Sequence, residues 1–232
     1  MDSACHHRHC SEAMDVARFK QLPVMGILRG GDTEVVGPLV EALVESGLET
    51  LEIAMNTPDA AAMIRRAVEV AGDRMMIGAG TVITSDRLEA ALDAGAGFIV
   101  LPTLVPEVVS EAHRRSVPVF PGALTPQEIH DAWLSGATMV KVFPAKLFGP
   151  QYMSEVKGPF DEIELLACGG VGPGNIAEFF AAGADAVAFG GSVFAAPLLA
   201  ARRMDEIVTK VAALITAYRA GRRRLDANAD LP

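Results

Sequence analysis

Only three cysteines occur in 232 residues: Cys5, Cys10 and Cys168. So sparse and odd a set argues against a disulfide framework. Cations are also outnumbered, with 20 Lys+Arg against 29 Asp+Glu and a formal net charge of −9. That balance is poorly suited to gripping nucleic acid or an anionic membrane. An anionic ligand would have to be held by local groups against the overall field. Long apolar runs are missing as well. Stretches such as Phe98–Leu101 and Ala186–Phe189 fall far short of the roughly 20 residues that span a bilayer. The opening MDSACHHRHCSEAMD has no apolar run resembling a secretory signal. The expectation is a soluble, cytoplasmic protein with neither nucleic acid nor membrane as partner.

Two segments stand apart from the rest. His6, His7 and His9 lie between Cys5 and Cys10, but their spacing matches no zinc module. Residues 1–20 therefore read as a tail with room for a short helix, and no metal site is expected. Residues 221–232, GRRRLDANADLP, read as a solvated helix end and tail, with Arg222, Arg223 and Arg224 able to touch a neighbouring subunit.

What is present between the tails is apolar and rhythmic. Half of all residues are hydrophobic, enough for one large core or two small ones at about 150 residues per domain. Short β-branched runs alternate with turns and Ala/Leu/Glu-rich helical patterns. Strands are expected near Val24–Arg29, Thr50–Met55, Met75–Ala79, Phe98–Leu101, Val117–Phe120, Thr138–Phe143, Ile163–Ala167 and Ala186–Phe189. Helices should begin near Asp32, Thr57, Thr84, Val105, Thr125, Phe148 and Gly172, with a last one after Ser192. Val36, Leu39, Val40, Leu43 and Val44 show the helical spacing well. Eight such units make the tally of a single-domain (β/α)8 TIM barrel over residues 21–220. A doubly wound open sheet uses the same units and is the alternative. Closure is favoured by an internal echo. Gly47, Gly95, Gly136 and Gly183 each end a helix just before a strand, at intervals of 48, 41 and 47 residues, close to two units apart.

Chemistry in such a barrel belongs at the C-terminal ends of the strands, and polar residues inside apolar strands are the ones to seek. In Thr50–Asn56, alternation sends Leu51, Ile53 and Met55 to the helices, and Thr50, Glu52, Ala54 and Asn56 to the interior. In Thr138–Pro144 the same rule turns Val140 and Val142 outward and Lys141 inward. A buried ammonium and a buried carboxylate are costly unless paired or shifted in pKa. They form either an ion pair that plugs the barrel, or a working pair. A lysine desolvated beside Val140, Val142 and Phe143 is driven toward the amine that attacks carbonyls. A nearby glutamate can move protons around the resulting imine. Arg29, ending the first strand, could grip a substrate carboxylate bidentately or make a rim ion pair.

Glycine-rich turns complete the set. Gly78-Ala79-Gly80-Thr81 lacks the third glycine of a dinucleotide fingerprint, having Ile83 there. Gly169-Gly170-Val171-Gly172-Pro173-Gly174 and Gly190-Gly191-Ser192 follow the last two strands. Turns in those positions either pack closely for steric reasons or present amides and helix N-termini to a phosphate.

Eight motifs occur in order: Gly26–Arg29, Leu51–Ile53, Gly78–Val82, Pro121–Pro126, Lys141–Ala145, Gly149–Tyr152, Gly169–Val171 and Gly190–Ser192. Together they resemble the 2-keto-3-deoxy-6-phosphogluconate / 4-hydroxy-2-oxoglutarate aldolase family, which includes 2-keto-3-deoxy-6-phosphogalactonate aldolases, across about residues 22–218. The resemblance implies a class I, Schiff-base aldolase on a (β/α)8 barrel, usually trimeric, with no metal or other cofactor. It places Lys141 on the imine-forming lysine, Glu52 on the general acid/base and Thr81 beside the substrate carboxylate. Arg29 matches the arginine of the first strand. Gly169, Gly170, Gly190, Gly191 and Ser192 fall on the phosphate loops, and Phe143 and Asn56 line the substrate. Asn56 stands where some members carry arginine, and Cys168 replaces a frequent threonine. Both departures bear on which sugar acid is used. The implied partners are a phosphorylated keto acid and pyruvate. The competing readings are a phosphosugar epimerase or isomerase on the same barrel and a non-catalytic sugar-phosphate-binding protein. Cys168 itself reads as a small buried residue or a redox-sensitive thiol.

Overall fold

The strands are apolar on both faces because both faces are covered. The computed structural model describes residues 13–229, so the Cys/His cluster at Cys5–Cys10 lies outside the described residues. α1 (Val16–Gln21) leads into β1 (Val24–Leu28), α2 (Thr33–Glu45), β2 (Thr50–Ala54), α3 (Ala60–Ala71) and β3 (Met76–Gly80). Next come α4 (Ser85–Asp93), β4 (Ile99–Val100), α5 (Pro106–Arg114), β5 (Val119–Phe120), β6 (Gly122–Ala123) and α6 (Pro126–Leu134). The chain ends with β7 (Val140–Val142), α7 (Gln151–Lys157), β8 (Leu165–Cys168), α8 (Ile176–Ala181), β9 (Ala186–Phe189), α9 (Ala196–Ala200) and α10 (Met204–Ala229). Among the described residues no helix is long and apolar enough to cross a membrane.

Every pairing is parallel, in the order β5-β4-β3-β2-β1-β9-β8-β7-β6. Its two ends, β5 and β6, are one piece of chain flanking Pro121. The first half pairs with β4 and the second with β7. Proline has no N–H to give a ladder, so one stave is cut into two segments. The nine segments thus close as eight staves, a TIM barrel and not the open sheet.

Side chains sort into two cores with the period of a strand. Leu51, Ile53, Val140, Val142, Leu165 and Ala167 pack outward against the helices. Met25, Ile27, Phe98, Val100, Phe120 and Leu166 fill the interior. The helices are closed off as the glycine echo implied. Gly47, Gly95, Gly136 and Gly183 all adopt positive φ, between 82° and 96°. Leu48, Ala96 and Ala184 then donate their amides back to Leu43, Ala91 and Phe179, the hydrogen bond that closes a helix end with a left-handed residue.

Several boundaries differ from expectation; the helices expected near Thr57 and Gly172, for instance, begin at Ala60 and Ile176. The helix expected near Phe148 begins at Gln151, after Gly149 at φ 71° and Pro150. The single helix expected after Ser192 is broken at Arg202, φ 52°, into α9 and α10. Residues 221–229, read as a tail, continue α10. Gly221 lets that helix come close to α8, since a Cβ there would lie 2.7 Å from Ala177 Cβ. Tyr218 packs on Phe180, ring centroids 4.8 Å apart.

The lower end of the barrel is stoppered by α1. Phe19 is fully buried, edge-on to Phe120 at 6.0 Å, and Phe120 meets Phe98 at 5.9 Å. Phe19→Ala should lower unfolding free energy by about 3–5 kcal/mol, read from denaturant melts. The folded protein should keep its activity, because the chemistry sits at the other end. A loss below about 1 kcal/mol would show that the stopper is not part of the packed core.

Candidate active site

β2 and β7 are separated in the sheet by β1, β9 and β8, so Glu52 and Lys141 meet only across the interior. Lys141 Nζ lies 3.7 Å from Glu52 Oε2, with side chains 7% and 1% exposed. That is an ion-pair separation, too long for a hydrogen bond. Among the described residues, both carboxylate oxygens of Glu52 are buried with no protein hydrogen-bond partner, and so is Thr50 Oγ1. Burial pushes the Glu52 carboxyl above the usual carboxylate range, and the charges of Lys141 and then Arg29 only partly offset it. An unpartnered, desolvated carboxyl beside an amine can take and return a proton.

The surroundings are mixed. The Phe143 ring centroid is 5.7 Å from Lys141 Nζ, and this ring is 39% exposed at the mouth. Cys168 is buried on the inner face of β8. Burial raises its thiol pKa, with Lys141 opposing and Glu52 reinforcing the shift. It is held as a neutral thiol against the pair, which favours the small-buried-residue reading over a reactive one. Arg29 is exposed at the rim and points Nη2 at Thr81 Oγ1, 3.4 Å away. Thr81, at φ 56°, is held from below by Arg87, whose Nη1 donates to its carbonyl at 3.0 Å. Asn56 is exposed on the turn after β2.

The two glycine turns follow β8 and β9, which are neighbours. Gly169 and Gly170 take φ of 96° and 81°. Gly190 accepts the amides of both Val193 and Phe194 at 2.9 Å, folding the turn back on itself. A Cβ on Gly190 would come within 3.3 Å of Ile27 O, whereas Gly191 faces open space. Ser192 is exposed, and its carbonyl accepts from Lys210 at 3.2 Å. One expectation needs adjustment. α8 and α9 have only 6 and 5 residues, so helix dipoles contribute little and the turn amides would do most of any anion binding. Among the described residues no three of His, Cys, Asp and Glu gather.

The sequence pointed Lys141 and Glu52 into one interior, where the structure has them 3.7 Å apart, and gave Arg29 and Thr81 to one substrate carboxylate; the structure sets those two side chains 3.4 Å apart. Sequence reasoning missed Arg87 as the support of Thr81, and it missed the bare inner face at the upper end of β3. Glycine at two successive inward positions, 78 and 80, was the available signal.

A closed parallel barrel with a buried amine–carboxylate pair between its walls, and cationic and glycine-rich turns around its upper rim, belongs to the class of barrel enzymes that work at the C-terminal ends of their strands. The family described as KDPG and KHG aldolase matches residues 16–210. The chain belongs to that family, and so to the carbon–carbon lyases. It is 32% identical over 200 residues to the 2-dehydro-3-deoxy-6-phosphogalactonate aldolase of Escherichia coli K12, covering 86% of this chain and 96% of that one. A solved native KDPGal structure superposes with a TM-score of 0.82 at 32% identity, covering 88% and 97% of the two chains. A KDPG aldolase from Legionella pneumophila, with pyruvate captured at low pH as a covalent carbinolamine, superposes with a TM-score of 0.76 at 25% identity, covering 83% and 93%.

Proposed function

We propose that the chain is a class I aldolase that cleaves a 2-keto-3-deoxy-6-phospho sugar acid, of phosphogluconate or phosphogalactonate type, to pyruvate and glyceraldehyde 3-phosphate. The observation that carries this reading is the buried Lys141–Glu52 pair, 3.7 Å apart, with both Glu52 oxygens unpartnered. A structural plug would satisfy its carboxylate with hydrogen bonds. A reacting pair leaves it free for substrate.

The Lys141 amine attacks the C2 ketone, and the carbinolamine loses water to an iminium. Glu52 takes the proton of the C4 hydroxyl. The C3–C4 bond breaks as C4 becomes the aldehyde carbon of glyceraldehyde 3-phosphate, and its electron pair flows into the iminium to give an enamine. Glu52 returns its proton at C3, which becomes the methyl group of pyruvate, and water releases the lysine. Arg29 and Thr81 hold the carboxylate. Phe143 and Asn56 border the substrate. Gly169, Gly170, Gly190, Gly191 and Ser192 bind the phosphate through turn amides. The carbinolamine captured in the Legionella pneumophila relative supports the covalent route. No metal or cofactor enters these steps. A cytoplasmic homotrimer is the form that the family resemblance implies, with 4-hydroxy-2-oxoglutarate as a further substrate.

The test is retro-aldol kinetics on the two phosphorylated epimers side by side, with a chelator present and pyruvate followed by a coupled assay. Pyruvate release from at least one is expected. Release from neither would overturn the reading, and release only on adding a divalent metal would overturn its metal-free form.

A further inference from the structure

Of the three inward positions of β3, Met76 packs on the interior cluster and the two nearer the mouth, Gly78 and Gly80, carry no side chain. Neither glycine has positive φ, so left-handed backbone is not why they are there. Space is. A Cβ at Gly78 would lie 2.5 Å from the Phe98 ring. A Cβ at Gly80 would overlap the carboxyl group of Glu52 and lie only 2.6 Å from its Cγ. The ladder explains this. Glu52 is in register with Gly78, and Gly80 is the next inward position toward the mouth. The Glu52 side chain therefore leans along the strand and fills the volume that a residue at 80 would occupy.

No protein hydrogen bond among the described residues fixes that pose. The attraction of Lys141 acts from 3.7 Å, and the room left at Gly80 lets the side chain take it up. We infer that Gly80 is a positioning residue for Glu52: its missing side chain is the berth in which the acid/base carboxyl lies buried across from Lys141. This rests on the proposed aldolase reading and adds to it a residue that acts through Glu52.

Gly80→Ala expels the carboxyl from that berth. A shift of about 1 Å is enough to lower the rate of C–C cleavage about 100-fold. The atoms nearest the new methyl group are those of Glu52, so pyruvate should still form the imine at Lys141 and borohydride should still trap it. Displacement also changes what surrounds the carboxyl. The groups facing Glu52 are Lys141, Arg29 and Cys168, and Lys141 is bonded to substrate in the imine complex. The acid limb of the cleavage profile, set by Glu52, should therefore shift from its native position in the variant. General loosening of the barrel would instead lower imine trapping together with cleavage.

A stability cycle keeps the inference testable if Gly80→Ala folds poorly. Gly80→Ala should lower the melting temperature by several degrees in the native background and by much less beside Glu52→Ala, where the clash is gone. Two results would overturn the inference. One is cleavage by Gly80→Ala within twofold of the native protein. The other is an equal loss of stability in both backgrounds, which would mean that the methyl group meets something other than Glu52. Failure of the aldolase reading looks different, because the native protein would then neither trap pyruvate nor release it.

Discussion

Lys141→Met is expected to lower retro-aldol kcat/KM by at least about 10,000-fold. It should also abolish the covalent adduct that borohydride leaves in the presence of pyruvate. Methionine roughly preserves the volume of the side chain but has no nucleophile. Val140 and Val142, the outward neighbours, remain in the outer core, so the barrel should still fold. The same experiment on the native protein should place the pyruvate-derived mass on Lys141 and on no other lysine. Lys146 is the informative control, since it is a close neighbour in sequence yet exposed. An adduct on Lys146, or none at all, would defeat the assignment. The reason for expecting Lys141 is environmental. It is the lysine on the inner wall, 6% exposed and facing the Glu52 carboxylate.

Glu52→Gln should separate imine formation from cleavage. The amide is isosteric and fits the same berth, but it cannot accept the C4 hydroxyl proton. Cleavage should fall by about 100- to 10,000-fold, the usual weight of a positioned acid/base group, while trapping of pyruvate at Lys141 persists. Full activity would remove Glu52 from the proton path. The pH dependence adds an independent check. Glu52 must be ionised to act as base, and burial raises its pKa above the ordinary carboxylate range. The native rate should therefore fall on acidification at a higher pH than a surface glutamate would give. That acid limb should be absent from the residual activity of the glutamine variant. A limb at or below the ordinary carboxylate value would contradict the burial argument.

The inward or outward sense of Glu52 and Lys141 was readable without coordinates, because side chains along a strand alternate by geometry alone. The four glycine-terminated helices were readable for a related reason. A left-handed residue that ends a helix is nearly always glycine, and Gly47, Gly95, Gly136 and Gly183 all adopt that conformation. Helix boundaries late in the chain were less legible. Nothing local about Arg202 announces a turn at positive φ, and α10 runs on past residue 220, where the tail was expected to begin, to Ala229. The GxG of β3 is legible in the sequence as no dinucleotide fingerprint and as one of the family motifs, but not as a berth for a side chain. Its meaning lies in what occupies the space above it, and Glu52 is 28 positions away from Gly80 in the chain.

By itself, then, the sequence determined the order of elements, the face on which Glu52 and Lys141 lie, and the family to which the chain belongs. These depend on local periodicity and residue type, which the linear chain carries in full. Only the tertiary structure decided that the sheet closes through Pro121, that Glu52 and Lys141 stand 3.7 Å apart across the interior, and that no protein group among the described residues hydrogen-bonds the carboxylate. Those depend on barrel closure and on which distant side chains fill the shared interior. The short reach of backbone geometry cannot encode such distances, and the packing of the whole barrel settles them at once.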